Sequence, residues 1–183
     1  VSSVHAIEIG PTGSGLELSG FVDLYFQSQN DVETTDVSQV ELNLDYASGP
    51  VSVSIDFDLY DAPADGSGGN GAVLEEAIIT YDFGNGFSVT GGKMLSYLGF
   101  EAYDPTNMYQ YSYAYDQGGG AQNIYDAYDD GVSIDFANDM FSVGIFSSVE
   151  QDGGYEYAFA FTGIENLTVK AIMADWDAYE TTT

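Results

Sequence analysis

In "VSVSIDFDL" (51–59) Asp56 and Asp58 alternate with Ile55, Phe57 and Leu59, and most of the chain's acid follows the same even spacing. Glu41 and Asp45 lie on one parity of "QVELNLDY" (39–46), and Glu17 and Asp23 on one parity of "LELSGFVDLYF" (16–26). Asp82, Asp135 and Glu156 occupy the polar parity of three later runs. Paired carboxylates can run acid/base hydrolysis, but here they are so numerous that no pair is singled out. A nucleophile–base pair is improbable, because Cys is absent and His5 is the sole histidine, in a terminal stretch. The loop "DAPADGSGGNG" (61–71) looks calcium-like but fails the EF-hand template, with Pro63 at position three and Ala72 at position twelve. Loose calcium binding by exposed carboxylates stays unspecific. No cofactor is implied. The chemistry left to so many carboxylates is electrostatic: they attract cations and repel anions.

The charge balance sets limits on partners. Thirty Asp and Glu stand against Lys93 and Lys170 alone, a formal charge of −28. That excludes nucleic acid as a partner and argues against docking on an anionic lipid surface. Disorder is the usual fate of such a charge, but 44% hydrophobic residues, with 15 Tyr and 11 Phe, are enough to fold.

Two-residue alternation dominates and helical periodicity is nearly absent, so the carboxylates sit on strands with apolar residues on the opposite face. Beyond the three runs quoted, strands are expected at 73–83, 87–95, 131–137, 140–149, 155–162 and 167–176, which makes nine. Their connections alternate in length. "QSQNDVETTD", "DAPADGSGGNG" and the segment 96–130 are long and the region of "QDGG" modestly long, whereas "SGP", "GNG", "AND" and "IEN" are short. In an up-and-down meander alternate connections share one end, so one end holds only tight turns. Outer-membrane barrels have this asymmetry, with short periplasmic turns and longer external loops. Tyr46, Phe83, Phe87, Phe136, Phe141 and Phe161 sit beside short turns on the apolar parity, as an interfacial aromatic girdle would.

The stretch "LEEAIITYDFGNGFSVTGGKMLSYLGFEAYDPTNMYQYSYAY" (74–115) resembles the OmpL-like beta-barrel porin family. The Gly-Asn-Gly turn, then Gly92, Lys93 and Met94, then Leu98, Gly99, Phe100 and Glu101 carry the likeness, and "YDDGVSIDF" and "GIENLTV" extend it. Family members are longer and more basic than this chain. The expected fold is therefore all-β: an antiparallel up-and-down transmembrane β-barrel, residues 1–183 forming one domain with 96–130 as its third external loop. The resemblance implies a porin of the bacterial outer membrane, in contact with its lipid, passing small hydrophilic solutes or cations and performing no catalysis. A homotrimer, the habit of general porins, is left open. By analogy with those porins the third loop would fold inward as a constriction carrying Glu101, Tyr103, Asp104, Tyr109 and Tyr111. The expected pore lining is Glu17, Asp23, Glu41, Asp45, Asp56, Asp58, Asp82, Asp135 and Glu156.

Nine strands leave an open edge, which hydrocarbon does not tolerate. Either a strand is hidden within 96–130, or, as the resemblance implies, the sequence is part of a longer chain. Lys93 falls on the apolar parity, and a bulge at Gly91-Gly92 is expected to re-aim it inward. The competing reading is a secreted soluble β-sandwich acting as a binding or adhesive module. It would require Val53, Ile55 and Phe57 to be sealed between two layers.

Overall fold

A computed structural model describes residues 6–29, 32–61, 73–98, 128–149 and 153–175. Its strands are β1 (Ile7–Glu8), β2 (Leu16–Gln29), β3 (Val32–Ser48), β4 (Val51–Asp61), β5 (Val73–Asp82), β6 (Phe87–Leu95), β7 (Tyr128–Ala137), β8 (Phe141–Ser148), β9 (Tyr155–Ile164) and β10 (Leu167–Asp175). They form one sheet in strict chain order, each strand antiparallel to the next. No helix and no second layer occur among the described residues. The nine expected strands are all present. The tenth, β1, is a two-residue pairing of Ile7 and Glu8 with Leu18 and Glu17, too short to leave a pattern.

Register explains how one sheet separates oil from water. Val89 of β6 faces Ile134 of β7, which faces Ile145 of β8. One step along, Thr90 faces Ser133, which faces Phe146, which faces Glu156 of β9. Successive side chains point to opposite faces, so these two rows lie on opposite sides of the wall. Burial then runs opposite to that of a soluble domain. Ile134 is 55% exposed, whereas Ser133 is buried. Gln39, Glu41, Ser133 and Glu156 are buried polar residues, and Met94 and Phe146 are the buried large apolar ones among the described residues. Val53, Ile55 and Phe57 are half-buried on the uncovered apolar face, with no sheet stacked on them. A sheet with a polar inner face and an apolar outer one suits a lipid solvent.

The short connections hold. Gly49-Pro50, residues 83–86, residues 138–140 and Glu165-Asn166 join their strands at one end of the meander. Asn166 adopts a positive φ of 61°, a conformation Asn accepts more readily than most residues. The first expected long loop does not hold. Within "QSQNDVETTD" the chain stays extended on both sides, leaving only residues 30–31 between β2 and β3. Thr34, Thr35 and Val37 are β-branched and pair with Gln27, Phe26 and Leu24, which outweighs the polar composition. Among the described residues β4 pairs with β3 from Gln39 to Ser48. Tyr128, Asp129 and Asp130, expected in the long connection after β6, belong to β7.

Candidate functional site: the inner wall

On β2 to β5 the inward positions form rows of acid. Glu17 faces Asp45, which faces Ser54, and the Ser54 hydroxyl donates to Asp45 Oδ1 at 2.9 Å. Glu17, Asp45, Ser52, Ser54 and Thr80 line an open depression of about 270 Å³. One row further, Asn43 faces Asp56 and its amide donates both to Asp56 Oδ1 (2.9 Å) and to Glu41 Oε1 (2.5 Å). In the next row Glu41, Asp58 and Glu75 each bring a carboxylate oxygen within 4.8 Å of the other two. Gln39 Nε2 donates to Asp58 Oδ1 at 2.9 Å, and the Ser38 hydroxyl donates to Asp23. Neutral amides and hydroxyls therefore separate like charges that would otherwise repel strongly in a partly dry wall. The three-carboxylate cluster has the oxygen chemistry that hard cations prefer.

Glu75 was missed by the alternation. Glu75 and Glu76 are consecutive, so a regular strand would turn only one of them inward. The register slips between Asp56↔Glu76 and Phe57↔Leu74, and this bulge leaves Glu75 in the inward cluster. Asp82 lies at the short-turn end, exposed, where its carboxylate accepts the Gly84 N–H at 2.7 Å and shapes the Gly-Asn-Gly turn. It is a rim residue.

On β6 to β9 the inner face is differently built. Past Leu95 the chain turns onto that face. The Ser96 hydroxyl donates to Glu156 Oε1 (2.7 Å) and the Tyr97 N–H to Glu156 Oε2 (2.6 Å). The Tyr97 hydroxyl donates to Asp135 Oδ1, whose other oxygen accepts the Ser133 hydroxyl at 2.6 Å. Gly144 lies beneath: a Cβ there would sit 2.6 Å from the Tyr97 oxygen. Gly131 likewise gives room to the Phe146 ring. Tyr97 lies past the end of β6, outside the strands. Burial above all, and then the Asp135 carboxylate, push its hydroxyl well above the ordinary tyrosine range, so it remains a donor. Asp135 and Glu156 thus share one face of the sheet, and Glu156 is only 1% exposed and does not front open water.

Lys93 does not turn inward. The β5–β6 and β6–β7 ladders run unbroken through Gly91 and Gly92, so Lys93 stays on the outer face, across from Ala77 and Asp130. Its ammonium donates to the Leu74 carbonyl (2.8 Å) and lies 5.8 Å from the Tyr128 ring centroid. A long stem reaching toward polar groups and an aromatic face lets a cation sit near a lipid boundary. Lys170 faces inward opposite Ala160. Along the short-turn end the outer aromatics touch in series, Phe87–Phe136 at 4.7 Å, Phe136–Phe141 at 5.8 Å and Phe141–Phe159 at 6.4 Å. Glu101, Tyr103, Asp104, Tyr109 and Tyr111, residues 62–72, His5 and Trp176 lie outside the described residues.

A comparison with curated proteins returns no match. The model of one protein family, beta-barrel porin-2, OmpL-like, matches residues 15–162, from the start of β2 almost to the end of β9. That match covers both the acidic wall and the hydrogen-bonded wall, and the sheet has the up-and-down topology such a barrel needs. The chain belongs to the OmpL-like beta-barrel porin-2 family, whose members are channels of the bacterial outer membrane.

Proposed function

We propose that this protein passes small hydrophilic solutes passively, favours cations over anions, and performs no chemistry on what it carries. The supporting observation is the inner face of β2 to β5, where Glu17, Asp23, Glu41, Asp45, Asp56 and Asp58 line one side of a wall whose other side is apolar. No Lys or Arg stands on these four strands. A low-dielectric wall around such a row focuses its potential into the water, raising local cation concentration and excluding anions. Residues 1–183 act as one domain in this reading.

The test is conductance across a planar bilayer with a salt gradient. The reversal potential should take the sign of cation preference, and replacing Glu41, Asp58 and Glu75 together by Gln, Asn and Gln should move it toward zero. An anion-selective or neutral wild-type channel would reject the selectivity and leave the barrel untouched. A soluble sandwich finds no support in a single sheet with Leu24 and Phe26 of its outer face 64% and 65% exposed.

A further inference from the structure

On β6 to β9 two carboxylates of the inner wall, buried Glu156 and half-buried Asp135, are taken up by hydrogen-bond donors, and those donors are in an unexpected place. Both oxygens of Glu156 are taken by donors of one dipeptide, Ser96-Tyr97, 59 and 60 residues away in sequence. The Leu98 N–H donates back to Ser96 Oγ at 3.0 Å, which closes the local turn. Tyr97 continues across the wall to Asp135. Three successive strands contribute: Asp135 from β7, the bare backbone of Gly144 from β8, and Glu156 from β9. A side chain at 144 would lift Tyr97 off the wall. Phe146 and Ser133 are buried on the same face, at 4% and 3% exposure.

We propose that Ser96–Leu98 form a sill that narrows the lumen on the β6–β9 side, and that Glu156 is the positioning residue that seats it. The inference rests on the porin reading for its effect on conduction, though not for the geometry. A buried carboxylate accepting charge-assisted hydrogen bonds at both oxygens is held by its partners and holds them in turn. Its charge lies beneath Ser96 and Tyr97 rather than on the open wall, and the dipoles of its two donors offset part of its field, so it selects ions less than an open carboxylate does. Glu156 and Asp45, equal in charge and on the same face, thus have different roles. Asp45 lies on an open acidic depression and acts on ions. Glu156 acts on the chain.

Conduction separates these roles. Glu156→Gln cannot accept at both positions, since its amide nitrogen would meet a donor. It should raise single-channel conductance by roughly a factor of two as the lumen widens, with a much smaller shift in reversal potential than Asp45→Asn gives. Asp45→Asn should do the reverse, moving the reversal potential with little change in conductance. The proposal is overturned if Glu156→Gln leaves conductance as it was, or shifts the reversal potential as far as Asp45→Asn does.

A second measurement needs no current. The chain has no cysteine, so one introduced thiol is unique. Ser133→Cys, beneath the sill, should react with a water-soluble maleimide at least about tenfold more slowly than Ser54→Cys on the open wall, because thiol reactivity follows access. Adding Glu156→Gln should abolish the difference. Equal labelling of the two thiols in the otherwise unaltered protein would reject the sill even in a conducting channel. Protection without any conductance would instead reject the porin reading and keep the sill.

Discussion

Tyr97 is a neutral donor held over a carboxylate, and its protonation couples to pH in a definite direction. Its hydroxyl is held more tightly in the folded protein than in the unfolded chain, where tyrosine titrates at 10.0. A raised folded value means that the stabilisation is fully present below the unfolded value and is lost as pH climbs above it. The wild-type melting temperature should therefore fall more steeply above about pH 10 than that of Tyr97→Phe, measured side by side in one detergent. Parallel curves would show that the hydroxyl contributes nothing. Carboxylate parity was legible in the sequence, because alternation along β3 and β4 fixes which side Glu41, Asp56 and Asp58 face. What became of each carboxylate was not. The donors to Glu156 come from just past the end of β6, and no local spacing announces a contact across 60 residues.

At the scale of elements, period-two patterning was enough to place nine strands, because lipid on one face and water on the other penalise any slip by one residue. Where the structure departs from the pattern, the cause is pairing between strands. The β2–β3 hairpin runs on through polar residues because each strand gives the other a β-branched or aromatic neighbour. Glu75 joins the acidic cluster through a bulge that only the partner strand reveals. The same periodicity makes a quantitative prediction on β7. Ile134 faces outward between Val89 and Ile145, so Ile134→Arg should destabilise the protein in vesicles by about 2–4 kcal/mol if it lies near the bilayer midplane. Lys93, on the same face but tied to the Leu74 carbonyl near the end of β6, illustrates why the penalty falls toward the boundary. Urea unfolding of the variant in lipid checks the figure, and a change under 0.5 kcal/mol would mean that position 134 is not in hydrocarbon. At the short-turn end Gly86 has φ of 89° and its missing Cβ would press on the Ala137 carbonyl. Gly86→Ala should cost about 1 kcal/mol or more in the same assay, because a left-handed backbone and a close approach are both lost to it.

For the whole molecule, the sheet is asymmetric in two senses. Its outer face is apolar and its inner face polar, and the inner face is itself divided: β2 to β5 carry the rows of acid, open at Glu17 and Asp45 and buried at Glu41, whereas on β6 to β9 Ser96 and Tyr97 occupy the oxygens of Glu156 and one of Asp135. The first asymmetry makes it a membrane wall. The second lets sieving and charge selection be tuned by different residues, which is why Glu156→Gln and Asp45→Asn should have separable effects. The claim beneath all of this is that lipid wets the outer face and water the inner one. It is tested most directly on β4, with nitroxide labels placed singly at 52, 53, 54, 55 and 56 in lipid vesicles. Collisions with dissolved oxygen report lipid, and collisions with a water-soluble nickel chelate report solvent. Positions 53 and 55 should favour oxygen and positions 52, 54 and 56 the chelate, alternating residue by residue. If 53 and 55 are instead shielded from both reagents, as they would be between two stacked sheets, the membrane barrel is contradicted.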